Sequence, residues 1–298
     1  MAEVRIGFIG CGEVASIFSL AMVQNNARVL VTDTLLEKPD GQAILRSRLR
    51  DDRVEIAPLT EVIANAEIIL STVTTQVAVS VAESAVPLLR PGQVYVDLNS
   101  TSPGIKIKIA GLMDAAGIDF VEGAILGAVG ATGASTQLLL TGPRGKEVAG
   151  ILNDVGLNCA VFGTSYGEAA SFKMLRSVFS KGIECLLLEM RTAGRRAGIE
   201  QALIDDIGLL MTKNPFDRIA NNWIQSHAVA HERRYHEMAQ VVETLRELDV
   251  DPIMSEAARN FFERSIKLGF AEAFPEKPES AEAVVEFMAR QREENPKH

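Results

Sequence analysis

The segment Val4-Arg5-Ile6-Gly7-Phe8-Ile9-Gly10-Cys11-Gly12-Glu13-Val14-Ala15 decides how the first half of the chain folds. Val4 to Ile9 is a short apolar run with β-branched residues, the pattern of a strand buried on both faces. It leads directly into Gly10-x-Gly12-x-x-Ala15, a spacing that turns a strand sharply into a helix. In such a turn Gly10 permits the tight bend, Gly12 lets a pyrophosphate approach the backbone, and small Ala15 lets the helix pack on the strand. The backbone of Cys11, Glu13 and Val14 belongs to the same turn, where N–H groups at a helix N terminus meet phosphate. A thiolate at Cys11 is conceivable there, but a small residue offering only its N–H explains the position.

Alone, the glycine spacing equals an ordinary tight turn. Three surrounding features give it meaning: a strand before it, a helix after it, and Asp33 at the end of the next strand, Val29 to Thr32. A carboxylate there accepts hydrogen bonds from the ribose hydroxyls of NAD and repels the 2′-phosphate of NADP. Thr34, Leu35 and Leu36 follow with no arginine among them, so NAD is favoured over NADP.

Further strand-like runs, Ile68 to Val73 and Val94 to Leu98, alternate with helix-like segments such as Glu13 to Val23, Val77 to Leu89 and Pro103 to Ala116. This alternation predicts a doubly wound, mostly parallel α/β sheet of the Rossmann type. Ser102 before Pro103 reads as a helix cap. The pattern changes at Phe162 and Gly163, after which no strand is expected. Residues 1–163 are therefore read as a dinucleotide-binding domain, and 164–298 as an all-helical domain for substrate and dimerisation. Thr164 to Arg196 is long enough for one helix of ~50 Å. Its apolar middle, Ile183 to Leu188, suits burial against several neighbours, a second copy included, so a homodimer is expected. Helices are also expected over Glu200 to Met211, Phe216 to Leu248 (with room for a break), Ser255 to Lys267 and Ala281 to Arg292.

Composition narrows the partners. A net charge of -9 argues against nucleic acid, which needs a basic surface. Glu3 and Arg5 interrupt the opening, and no stretch is long and charge-free enough to span a membrane. Cys11, Cys159 and Cys185 form no CxxC pair, consistent with a reducing cytoplasm.

Ile6 to Ala15, Gly7 excepted, resembles the β-hydroxyacid dehydrogenases, which include 6-phosphogluconate and 3-hydroxyisobutyrate dehydrogenases. Three further segments carry the resemblance. Asp97-Leu-Asn-Ser-Thr-Ser-Pro103 is similar to D-x-S-T-x-x-P with a one-residue shift. Glu122-Gly-Ala-Ile-Leu-Gly127 occupies the place of D-A-P-V-S-G-G, and Gly167-Glu-Ala-Ala-Ser-Phe-Lys173 resembles G-x-x-x-x-x-K. The resemblance covers at least residues 4–190. It implies hydride transfer between a nicotinamide and a hydroxyl or carbonyl of a small organic acid. It also implies that Lys173 is the acid–base group and that Ser100 and Thr101 hold the substrate near Leu126 and Gly127. Thr72, Val73 and Thr74 would line the cofactor's adenosine and ribose side. A half-buried amine can have its pKa lowered enough to take the hydroxyl proton near neutral pH.

Each role has a plainer alternative. Lys173 can be a surface or ion-pair lysine, and Ser100 and Thr101 can cap the helix at Pro103. Lys181 is a second candidate without the glycine spacing. The family's serine is here Leu126, and its asparagines are Arg176 and Ser177. Arg176 can clamp an anion or serve a salt bridge. These departures leave open an imine or ketone reductase with an apolar pocket around Leu126, although Lys173 speaks against the imine reductases. A non-catalytic dinucleotide sensor is the more distant reading. His227, His231 and His236 lack a completing cysteine or carboxylate, and His231 to Tyr235 is not H-E-x-x-H, so no metal is expected. Arg233 and Arg234 read as a solvated face. Arg191, Arg195 and Arg196 suit the end of a helix dipole.

Overall fold

A computed structural model describes residues 3–294. Eight strands form one sheet: β1 (Arg5–Ile9), β2 (Arg28–Thr32), β3 (Glu55–Ile56), β4 (Ile68–Ser71), β5 (Val94–Asp97), β6 (Asp119–Leu126), β7 (Gln137–Thr141) and β8 (Asn158–Val161). Their order is β3-β2-β1-β4-β5-β6-β7-β8, with every pair parallel except β6 and β7. The order reverses direction beside β1, between β2 and β4. At such a switch point the connections diverge to opposite faces and leave a crevice at the carboxyl ends of the strands.

The helices of this part are α1 (Glu13–Gln24), α2 (Gly41–Arg48), α3 (Leu59–Asn65), α4 (Ala78–Ala85), α5 (Pro103–Ala115), α6 (Val129–Thr132) and α7 (Gly145–Asp154). Side chains on successive strand residues divide between two cores, as a period of two requires. Ile6, Phe8, Ile68, Leu70, Val94 and Val96 pack on one face. Ile9, Ile69 and Tyr95 pack on the other. Both faces are covered, which is why these strands read as unbroken apolar runs.

Two local expectations need correction. The segment Val77 to Leu89 is not one helix: α4 stops at Ala85 and a 3-10 turn, Val86–Leu88, follows around Pro87. Ser102 occupies the cap position of α5, but its side chain makes no capping hydrogen bond.

After β8 the described chain is helical: α8 (Glu168–Arg196), α9 (Glu200–Lys213), α10 (Phe216–Glu247), α11 (Ile253–Lys267), α12 (Phe270–Ala273) and α13 (Ala281–Glu294). The chain forms two compact units that divide at Val178 and Phe179, so the first turns of α8 belong with the sheet. There Ala169 is buried with Ala124 of β6 and Leu139 of β7. In the helical unit α10 runs 32 residues without interruption, since no Pro or Gly lies inside it. It packs along α11, and Ala228, Phe270 and Val284 form a small core there. Arg191 and Arg195 both pair with Glu200 where α8 turns into α9, and Arg196 pairs with Asp249. No helix among the described residues is long and apolar enough to cross a membrane.

Candidate active site

The glycine turn has the geometry its sequence implies. Gly10 has φ of 97°, and a Cβ on it would lie 2.6 Å from the Thr72 carbonyl oxygen. Only glycine fits both constraints. A Cβ on Gly12 would meet nothing within 4 Å, because that position faces an open groove. Gly12 caps α1 without any side-chain hydrogen bond, so N–H groups of the first turn remain available to an anion. The groove opens into a cavity of about 1210 Å³ bounded by Gly10, Gly12, Asp33, Thr34, Arg48 and Thr74. A smaller cavity of about 310 Å³ shares Thr72, Val73 and Thr74 with it and continues to Val14, Ser100 and Ile125. This linked pair of cavities, with an uncapped helix N terminus between glycine and acid, fits a dinucleotide.

Asp33 is already engaged within the fold. Its Oδ2 accepts the Cys11 N–H at 2.9 Å, and its Oδ1 accepts the Leu35 N–H at 3.0 Å. The Cys11 N–H is thus directed at Asp33. The Cys11 thiol is buried, and burial followed by the Asp33 charge pushes its pKa up to about 11, which removes the thiolate reading. Asn99, which sequence reasoning did not single out, ties the strand ends together. Its Oδ1 accepts the Val73 N–H at 2.7 Å, while its Nδ2 donates to Ser71 Oγ at 2.9 Å. Thr72 Oγ1 donates to the Gly10 carbonyl at 2.9 Å. Thr72 and Val73 therefore hold the rim as well as line it.

Lys173 and Ser100, distant in sequence, come together. The Lys173 ammonium donates to Ser100 Oγ, just beyond the carboxyl end of β5. Burial, and then the nearby Lys106 ammonium, pulls the Lys173 pKa below the usual lysine value. Ser100 is exposed beside the smaller cavity, whereas Thr101 is buried with its hydroxyl unpartnered. Neither side chain caps α5.

Beneath this pair lies a buried charged trio that the sequence reading missed. Lys106 is 1% exposed and Asp97 and Glu122 are 0% exposed. Lys106 Nζ donates to the Asp97 carbonyl at 2.8 Å and the Gly123 carbonyl at 3.2 Å, with Asp97 Oδ2 at 3.4 Å. Glu122 accepts the Gly167 N–H, and accepts the Ala170 N–H at 2.6 Å, so its carboxylate caps α8 from another strand. Burial lowers the Lys106 pKa, and Asp97 and Glu122 oppose that shift. A signal was present in the sequence: Lys106, Ile109, Ala110 and Met113 fall on one helical stripe, and all are buried.

The remaining candidates are dispersed. Leu126 packs with the Ala124, Leu139 and Ala169 cluster, and it is Ile125 that lines the smaller cavity. Gly127 is exposed with φ of 139°. Ser177 Oγ donates to the Lys173 carbonyl at 2.9 Å, within the helix. Arg176 is exposed and forms no ion pair among the described residues. The Glu13 side chain lies against Gly130. Lys181 pairs with Glu184 at 2.7 Å. His227 Nε2 meets Ser265 Oγ at 2.8 Å inside a cluster with Phe261, Phe262 and Phe270.

A doubly wound sheet with this glycine turn, an acid closing β2 and a two-part groove at the switch point defines a nicotinamide-dinucleotide-binding oxidoreductase fold. The chain belongs to the family described as the NAD binding domain of 6-phosphogluconate dehydrogenase, which matches residues 5–163. Residues 195–265 match a second family, described as a domain of unknown function. A conserved hypothetical protein from Sinorhizobium meliloti 1021 is 31% identical, covering 97% of each chain with a TM-score of 0.61. The conserved protein MTH1747, described as structurally similar to 3-hydroxyacid dehydrogenases, is also 31% identical. It covers 88% of this chain and 96% of its own with a TM-score of 0.59. The fold is shared with an imine reductase variant from Myxococcus stipitatus in complex with NAD+, at 17% identity and a TM-score of 0.73, covering 97% of this chain and 100% of that one.

Proposed function

We propose that the protein transfers a hydride between a nicotinamide cofactor and the carbinol or carbonyl carbon of a small organic acid, with Lys173 as the acid–base group. The observation that carries this reading is the Lys173–Ser100 pair at the carboxyl end of β5, beside the smaller cavity. Bound there, a nicotinamide supplies or accepts the hydride. In the oxidative direction the hydroxyl proton passes to the Lys173 amine, and in the reductive direction the ammonium returns it. Burial and the Lys106 charge both favour the neutral amine, which is the form that accepts a proton. Ser100 Oγ can hold the substrate oxygen in line with Nζ, and Arg176 is a candidate for the carboxylate. The substrate class favoured is a β-hydroxy acid, and Asp33 favours NAD over NADP. The expected assembly is a homodimer.

Absorbance at 340 nm tests this with wild type and Lys173→Ala, using NAD and NADP against hydroxyacids, sugar acids and aryl alcohols. The expected result is turnover that falls at least about 100-fold in the variant, the lower range for acid–base catalysis, while dinucleotide binding persists. Equal turnover in both proteins would refute the role of Lys173. Val14, Leu98 and Ile125 in the lining support a second reading, reduction of a ketone or imine with apolar substituents. NADPH-driven reduction of such compounds, without hydroxyacid oxidation, would select it. Tight dinucleotide binding with no turnover would instead support a sensor.

A further inference from the structure

Arg48 ends α2, and the sequence offers no reason to notice it among Arg46, Arg50 and Arg53. The fold separates them. Arg46 pairs with Asp52, and Arg53 with Asp51. Arg48 is held at a different place: its carbonyl accepts the Ser16 hydroxyl of α1, and its guanidinium donates to the Cys11 carbonyl at 3.2 Å. That carbonyl belongs to the glycine turn, and the guanidinium lines the large cavity with Gly12, Asp33 and Thr34. A guanidinium has five N–H donors, and one carbonyl leaves most of them unused. Among the described residues no carboxylate pairs with Arg48. The nearby acid, Asp33, is turned onto two backbone N–H groups.

We propose that Arg48 binds a phosphate of the cofactor's adenosine half. The inference rests on the reading of this groove as the dinucleotide site and adds a recognition residue supplied by α2. Guanidinium–phosphate pairs are charge-assisted and commonly bidentate, so they outlast competition with water. Two phosphates fall within this half: the pyrophosphate, common to both dinucleotides, and the ribose 2′-phosphate of NADP. If Arg48 takes the second, it counters the preference that Asp33 sets.

Fluorescence titration of wild type, Arg48→Ala and Arg48→Lys with NADH and NADPH, and displacement by adenosine, tests the proposal. Arg48→Ala is expected to weaken a phosphate-bearing ligand about tenfold or more and to leave adenosine binding unchanged, with Arg48→Lys intermediate. Loss confined to NADPH assigns the 2′-phosphate, and equal loss for both assigns the pyrophosphate. Unchanged affinity for both dinucleotides overturns the proposal while the site reading stands. An equal loss for adenosine also overturns it, since that reports a role in shaping the turn. A wild-type protein that binds neither dinucleotide refutes the site reading itself.

Discussion

The two compact units of this chain place charge and apolar surface in opposite ways. The α/β unit buries Asp97 of β5, Glu122 of β6 and Lys106 of α5 and pairs them within the fold. The helical unit buries little charge and leaves large apolar side chains exposed, among them Leu186, Leu187, Leu188, Leu209, Leu210 and Trp223. Buried charge is tolerated only with partners held in place, so the first unit is specified from within. The consecutive exposed leucines of α8 (Leu186 to Leu188) and of α9 (Leu209 and Leu210) instead leave the second unit with apolar surface of the kind that favours contact with another surface.

The largest effect should come from breaking the trio. Lys106→Met leaves two buried carboxylates without their cation and is expected to cost about 3–5 kcal/mol of stability, read from urea denaturation curves. Adding Asp97→Asn to that variant should restore part of the loss, since it removes the carboxylate that faces Nζ while its side-chain carbonyl can still accept the Asn99 N–H. A Lys106→Met protein as stable as wild type would show that the trio is not specified by its charges.

A smaller effect is expected inside the helical unit. Burial, then His231 and Arg234, lowers the His227 pKa from 6.5 to about 4. The unfolded chain therefore takes up the proton first as pH falls. The stability contributed by neutral His227 is complete above about 6.5 and is lost progressively towards 4. Between pH 7 and 4.5 wild type should lose about 1–2 kcal/mol more than His227→Leu, less than the full shift implies because solvent screens this half-buried site, compared by urea midpoints at both values. Parallel losses in the two proteins would remove His227 as the cause.

The smallest effect on folding, yet a large one on assembly, is expected at Leu187. Leu187→Glu changes an exposed site and should alter stability by less than about 0.5 kcal/mol. In sedimentation velocity it should shift the expected homodimer to monomer. A variant that sediments as wild type would direct attention to another face of the helical unit.

How much of this was legible depended on whether local spacing carried the information. The glycine turn, Asp33 and the start of α5 at Pro103 are short-range features, and the strands β1, β2, β4 and β5 are apolar runs of ordinary kind. β6 escaped because Glu122 and Gly123 interrupt its apolar run, and the charge makes sense only when α8 arrives to be capped. Lys106 escaped because Ile105-Lys106-Ile107-Lys108 looks like alternation. In the helix it is Lys106 that turns inward while Ile107 is exposed. The separate roles of Lys173 and Ser100 came from a resemblance, and their direct contact was not foreseen, since nothing local in either segment announces the other. Arg48 was invisible for the same reason, because its distinction from three neighbouring arginines is a matter of which surface α2 is laid against.

The cap that Glu122 places on α8 bears on how this chain can change over time. A substitution at any one member of the trio strands the others in a dry interior, while the same substitution after a compensating one is mild. The order in which mutations arrive therefore decides which are tolerated. Random libraries at Asp97, Lys106 and Glu122 should be populated by matched combinations and nearly empty of single changes, a pattern of strong epistasis between a sheet and the helix packed on it.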